Sequence, residues 1–312
     1  MLFRSAKTAA LAALVLFCAG CAGTASQGGL SGVIAPEAKL ELVREGFHFT
    51  EGPLPMADGG LLFTDLRASR MHRLDPQGLI STVFEKTDET NGLAYDRNGE
   101  LYGIEAAGAK RLRRFNRDGS VSEITRGDGV NAMLQPNDLI IDARGGIYFT
   151  DPGPRPVVPG RKVHVYYLAP GAKNAVDADD RMVRPNGLTI SLDGKTLIVC
   201  DTVDHTIWQY DIQADGRLTN RRSYARMQNI AAGEDSGGDG LAIDREGRLF
   251  VTSVTGIQIF DPAGNYLGNI PVPRKSTNVA FSGPGKSVLY ITAREGVYKI
   301  QTLTRGPERL GK

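Results

Sequence analysis

The chain has 312 residues, 41% hydrophobic and 23% charged, with 37 basic against 35 acidic residues and 38 glycines. That length buries a sizeable core in one large domain, and the glycine content suits many short strands joined by tight turns. Near-neutral charge argues against a nucleic-acid-binding protein or one held to an anionic membrane surface by basic residues.

The first residues read as an export signal. Arg4 and Lys7 form a basic start, the run from Ala9 to Phe17 is apolar, and Cys18-Ala19-Gly20-Cys21 follows with small residues before a cysteine. The apolar run is too short to span a bilayer. The Ala-Gly-Cys ending resembles a bacterial lipobox, with Cys21 the lipidated residue, although Cys18 stands where an aliphatic residue is usual. Residues 1–20 are thus expected to be a lipoprotein-type signal, with a plain cleaved signal or a retained hydrophobic anchor as the alternatives. Residues 22–36, rich in Gly, Ser and Ala, are expected to be a flexible tether, and residues 37–305 the folded domain. With no Asp after Cys21, the expected location is the periplasmic face of an outer membrane, with the lipid as the only membrane contact. Loss of Arg4 and Lys7 leaves the basic residues equal to the 35 acidic ones. After Cys18 and Cys21, only Cys200 remains. It cannot form an internal disulfide, and within TLIVCD it reads as a buried structural thiol.

One phrase then recurs six times: a polar residue, a short apolar strand, an Asp/Gly-type turn and a second apolar strand. The copies begin at Glu51 (EGPLPMADGGLLFTD), Asn91 (NGLAYDRNGELYGIE), Asn137 (NDLIIDARGGIYFTD), Asn186 (NGLTISLDGKTLIVCD), Asp239 (DGLAIDREGRLFVTS) and Asn278 (NVAFSGPGKSVLYIT). Repeats of about 40–50 residues built this way are the signature of propeller blades. The predicted fold is therefore all-β, a six-bladed β-propeller. A further alternating strand follows each copy, such as RLRRFNRDG or HVYYLAPG. The last copy runs out of chain after GVYKI, so its outer strand must come from elsewhere. Leu40 to Val43, with Phe47 and Phe49, is the candidate to close the ring. Two segments interrupt the repeat, the four-proline stretch from Thr150 to Lys162 and the stretch from Gln228 to Gly238. Both are loops, placed to be either substrate contacts or plain surface connections.

In a propeller, equivalent residues lie at equivalent radius and height. The six opening residues therefore form a ring of oxygen donors facing one axis. Glu51 and Asp239 together balance one divalent charge, and Asn137 and Asn186 add neutral carbonyl oxygens. Such a set favours Ca2+, with Mg2+, Mn2+ or Zn2+ as alternatives. His48, His72, His164 and His205 share no metal-ligand spacing, which argues against a nitrogen- or sulfur-rich zinc or copper site.

EGPLPMADGGLLFTD, QPNDLIIDARGGIYFTDP, RPNGLTISLDGKTLIVCDT and GGDGLAIDREGRLFVTS, in that order, resemble the SMP-30/gluconolactonase/LRE-like family. The resemblance runs from about Glu41 to Ile300. It implies a six-bladed propeller with a divalent metal in the central channel, held by Glu51, Asn137, Asn186 and Asp239, Asn137 also serving substrate and water. It implies a metal-dependent hydrolase that opens a lactone or sugar-acid lactone, a reaction of the carboxylic-ester hydrolase type. Asp239 would be the base for the attacking water, and Asn137 would help to orient the reactants. Gln135, Asn137, Asn91 and Asn278 are the candidate substrate contacts. Gln135 stands where sugar lactonases often carry Arg. Asn278 stands where related phosphotriesterase propellers place a His. The alternatives are a non-catalytic envelope-binding propeller and a hydrolase of another ester class.

Overall fold

A computed structural model describes residues 29–309. The expected signal, Cys21 and the first part of the expected tether lie outside the described residues.

Four sheets have four antiparallel strands each. The second blade comprises β5 (Thr90–Tyr95), β6 (Leu101–Glu105), β7 (Leu112–Phe115) and β8 (Val121–Thr125). The third comprises β9 (Leu139–Ile141), β10 (Ile147–Asp151), β11 (His164–Leu168) and β12 (Val176–Asp179), and the fourth β13 (Pro185–Ile190), β14 (Thr196–Asp201), β15 (Thr206–Ile212) and β16 (Leu218–Arg226). The fifth comprises β17 (Leu241–Ile243), β18 (Leu249–Ser253), β19 (Gly256–Phe260) and β20 (Tyr266–Ile270).

The remaining sheet has six strands and contains two blades, because β1 (Glu41–Pro55) serves both. Its second half pairs with β2 (Leu61–Asp65), which continues into β3 (Arg70–Leu74) and β4 (Ile80–Glu85) as the first blade. Its first half pairs Glu41 with Lys299 and Leu42 with Tyr298 on β22 (Val288–Gln301). β22 turns at Arg294, where φ is 46°, and its earlier half pairs with β21 (Asn278–Ser282). The N-terminal strand thus completes the sixth blade, as the shortage of chain after GVYKI requires.

The side chains show why these strands close into a ring. Alternate residues of a strand face opposite sides of its sheet. On β10, Ile147 and Phe149 pack with Ala94, Ile104 and Leu112 of the second blade, whereas Tyr148 packs with Leu188, Leu197 and Val199 of the fourth. Six such clusters occur among the described residues, each filling one blade-to-blade interface. The one between the last and first blades unites Ala280 and Val297 with Leu61, Phe63 and Leu74. Each fully buried Leu, Val or Phe contributes about 1.5–3 kcal/mol.

The hairpin turns are fixed locally. Asp96 Oδ1 accepts the backbone N–H of Asn98 and Glu100, and Asp142, Asp244 and Asp261 do the same in their own turns.

The expectation of a flexible tether through Pro36 is corrected over its described part. Leu30, Val33 and Ile34 are buried against Phe250, Ile257 and Phe281 at the interface of the fifth and sixth blades. The Val33 carbonyl accepts the Leu303 N–H at 2.8 Å. Three apolar residues among glycines and serines are enough to dock the segment.

Candidate active site and metal centre

The six repeat-opening residues sit where the inner strands meet the axis, and a second pattern in the same phrases holds them there. The Gly after the opening residue is a point of close approach, not a turn. Gly187 N–H donates to the Asp239 carbonyl of the next blade at 2.7 Å, and Gly92 N–H to that of Asn137 at 2.9 Å. A Cβ on Gly187 would lie 1.9 Å from the Asp239 oxygen, so only glycine fits. The residue before the last acidic position of the phrase reaches the same way. Thr64 and Thr150 donate to the Asn91 and Asn186 carbonyls at 3.1 and 2.7 Å, and the Cys200 thiol to that of Asp239 at 3.0 Å. Cys200 is buried, which pushes its thiol up, away from the reactive thiolate.

The acidic residue that follows clamps the chain just before the ring. Asp65 accepts the His48 and Phe49 N–H groups, Asp151 those of Leu134 and Gln135, and Asp201 those of Val183 and Arg184, all at 2.6–2.9 Å. These clamps fix the residues two places before Glu51, Asn137 and Asn186. Phe49, Gln135 and Arg184, joined by Glu89, whose N–H is held by Ser69 Oγ at 3.1 Å, form an upper tier above the ring.

The channel opens into a cavity of about 700 Å³ lined by Glu51, Asn91, Asn137, Asn186 and Asp239 below and by that upper tier above. The donors in it are preoriented. Asn186 gives its Nδ2 to Thr202 Oγ1 at 2.9 Å, which leaves its Oδ1 buried without a partner. Asn91 Oδ1 and Asp239 Oδ1 are likewise buried and unpartnered. Glu51 Oε2 accepts from Gly52 N–H at 2.9 Å and from Asn278 Nδ2 at 3.1 Å. Burial, and then the Glu51 charge, hold the Asp239 carboxyl well above the ordinary range, while Arg184 and Lys275 oppose the shift. A buried oxygen left without a donor costs about 1–3 kcal/mol. Three of them in one cavity, beside two mutually repelling carboxylates, fit a hard divalent cation. Among the described residues no three His, Cys, Asp or Glu gather as a metal cluster, and none of the four histidines lines the cavity.

One expected substrate contact is corrected. Asn278 is buried and does not line the cavity; its Oδ1 accepts Val279 N–H at 2.9 Å while its Nδ2 holds Glu51. It therefore positions Glu51 from behind the cavity wall. Gln135, Asn137 and Asn91 do line the cavity.

The sequence reading passed over a set of cations. Arg67, Arg155, Arg184, Lys275 and Arg294 all line the cavity. Arg184 was legible, since R-P-N-G repeats the spacing of Q-P-N-D one blade earlier. The two interrupting loops meet at the mouth, where Arg155 pairs with Asp235 at 2.8 Å.

The fold and the ring define a six-bladed propeller with an oxygen-lined polar channel. The chain belongs to the SMP-30/gluconolactonase/LRE-like family, whose model matches residues 49–295. It is 26% identical to the gluconolactonase of Zymomonas mobilis subsp. mobilis, over 89% of this chain and 85% of that one. It is 30% identical to the regucalcin of Gallus gallus, over 88% and 92%. A solved structure from Xanthomonas campestris, described as a gluconolactonase important in glucose secondary metabolic pathways, superposes with a TM-score of 0.76 at 28% identity, over 88% of this chain and 92% of that one.

Proposed function

We propose that this protein is a divalent-cation-dependent lactone hydrolase. The observation that carries the reading is the convergence of the unpartnered Asn91, Asn186 and Asp239 oxygens beside Glu51 in one cavity. The gluconolactonases among its relatives supply the reaction class. Glu51, Asn137, Asn186 and Asp239 would hold the cation, with Ca2+ favoured by an all-oxygen donor set. When bound there, a divalent cation supplies Lewis-acid polarisation of a carbonyl oxygen.

The chain's own residues do the rest. Asp239, held beside the cation, accepts the proton of the attacking water. Asn137 and Gln135, from the clamped segment of the third blade, orient the ring hydroxyls and the water. Phe49 supplies an apolar wall that limits bulk water. Asn278 acts at one remove, by fixing Glu51.

The test is turnover of a panel of 1,4- and 1,5-lactones by purified protein, chelated and then reloaded with Ca2+, Mg2+, Mn2+ or Zn2+. Hydrolysis that is lost on chelation and restored by one of the cations is the expected result. No cation-dependent turnover of any lactone would refute the proposal. We further propose export and anchoring through Cys21, as the sequence at residues 1–21 implies.

A further inference from the structure

Carboxylates and cations in the channel are out of balance. Glu51 and Asp239 face the ring, and Glu89 is the one other carboxylate lining the cavity. Against these stand five cationic side chains. Arg155 is matched by Asp235. Arg67, Lys275 and Arg294 are exposed at the mouth, and none of them forms an ion pair among the described residues. Arg67 lies over the Phe49 ring, its guanidinium carbon 5.2 Å from the centroid, which holds it at the cavity edge.

Arg184 is the strongest observation. Its side chain is buried in the cavity wall, with only 8% of the residue exposed. Its Nη2 donates to the Gly153 carbonyl at 3.1 Å, its Nη1 reaches Thr202 Oγ1 at 3.5 Å, and its Nε has no partner. Among the described residues no carboxylate forms a direct pair with it: Asp239 and Asp201 act on it only at longer range, and Asp201 spends its oxygens on the Val183, Arg184, Val203 and Asp204 N–H groups. A buried guanidinium is costly unless it is paired. Once the two ring carboxylates are matched by a divalent cation, Arg184 and the mouth remain a net positive surface directly above it.

We infer that the substrate of this site is an anionic lactone, one that carries a second acidic group, a carboxylate or a phosphate, beyond the ester to be opened. This rests on the lactonase reading of the ring. The acidic group would take the unpartnered Nε edge of Arg184 by a charge-assisted contact. Arg67, Lys275 and Arg294 would draw the anion to the mouth, in a salt-dependent way. Gln135, the neutral polar residue of the same tier, would face the hydroxyl-bearing part of the ring. A neutral sugar lactone would leave the Arg184 charge uncompensated.

The experiment compares kcat/KM for D-glucono-1,5-lactone, its 6-phosphate, and D-glucaro-1,4-lactone at low and high salt, in wild type, Arg184→Gln, Arg184→Lys and the double variant Lys275→Gln/Arg294→Gln. It also measures binding of D-gluconate, 6-phosphogluconate and D-glucarate to the Ca2+-loaded protein by calorimetry. A charged hydrogen bond of this kind corresponds to about a 10- to 100-fold preference. The expected result is that preference for one anionic lactone, carboxylated or phosphorylated, with the anionic-to-neutral ratio falling at least about tenfold in Arg184→Gln and less in Arg184→Lys. The exposed double variant should fold as wild type and flatten the salt dependence. Lactone turnover with neutral and anionic substrates equal, and no change of ratio in any variant, overturns the inference while leaving the lactonase reading intact. Tight, Arg184-dependent binding of a doubly charged acid without turnover of any lactone does the reverse.

Discussion

Replacing Asp239 by Asn separates the two roles that the geometry gives this carboxylate. Its Oδ1 is buried without a partner, and its charge faces that of Glu51. In protein stripped of cation, the ionised side chain is therefore a liability. The amide keeps the shape and the unpartnered polar atom but removes the charge that burial and Glu51 disfavour, and the stripped variant should gain about 1–3 kcal/mol. For a domain of this size that is a rise of about 2–10 °C in Tm. With cation at one hundred times its Kd, wild type should gain about 2.7 kcal/mol. The variant, with one ring charge left, should lose most of that response. The pH dependence has a definite sign. The folded-state pKa of Asp239 is raised, so below the unfolded value of about 3.9 both forms are neutral and the two proteins should melt together. As pH rises from there toward the folded pKa, the unfolded wild type ionises while the buried group resists, so the gap should open in favour of the variant and level off above the folded pKa. Thermal unfolding followed by circular dichroism, in chelator and in excess Ca2+, from pH 3.5 to 8, reads all of this. A variant that melts below wild type in chelator, or that keeps the full cation-induced shift, would refute the assignment of Asp239 to the ring.

Asn278→Val removes the amide that holds Glu51 Oε2 and should weaken cation affinity about tenfold or more, measured by calorimetric titration. Gly187→Ala drives a methyl into the Asp239 carbonyl and should cost about 1–3 kcal/mol in urea unfolding, with reduced cation affinity as a second readout. Cys21→Ser should move the protein from the membrane fraction to the soluble one, judged by fractionation and by mass spectrometry of the mature N-terminus.

The blades were legible because strand alternation and turn residues are local, and six copies in register make the count. The ring was legible for the same reason: equal position in the repeat means equal place around the axis. What escaped was set by partners distant in sequence. The glycines after Asn91, Asn186 and Asp239 read as turn formers, yet at Asn91 and Asn186 their N–H groups reach the carbonyl of the next blade's opening residue. Asn278 had the right position for substrate contact, but the Glu51 carboxylate, 227 positions away in the chain, takes its amide. The apolar residues Leu30, Val33 and Ile34 were hidden in a polar, glycine-rich run whose docking site is built from the far end of the sequence. The cationic mouth is drawn from four blades, and no single stretch of chain displays it.

Closure through β1 also dictates an order of assembly. Thr50 Oγ1 donates to the carbonyl of Gly296, 246 positions later. β1, the first strand among the described residues, is thus committed to a hairpin made that much later, and it waits without its partner until that hairpin is synthesised. Blades two to five are contiguous hairpins that can form as their own sequence appears, whereas the ring closes only after the final turn at Arg294 is made. Such long-range pairing slows folding, because loop-closure entropy must be overcome before the contacts can compensate. Until then β1 and the edge of the sixth blade are exposed, and this pair of edges is where a slowly folding molecule would join a second copy of itself by exchanging N-terminal strands.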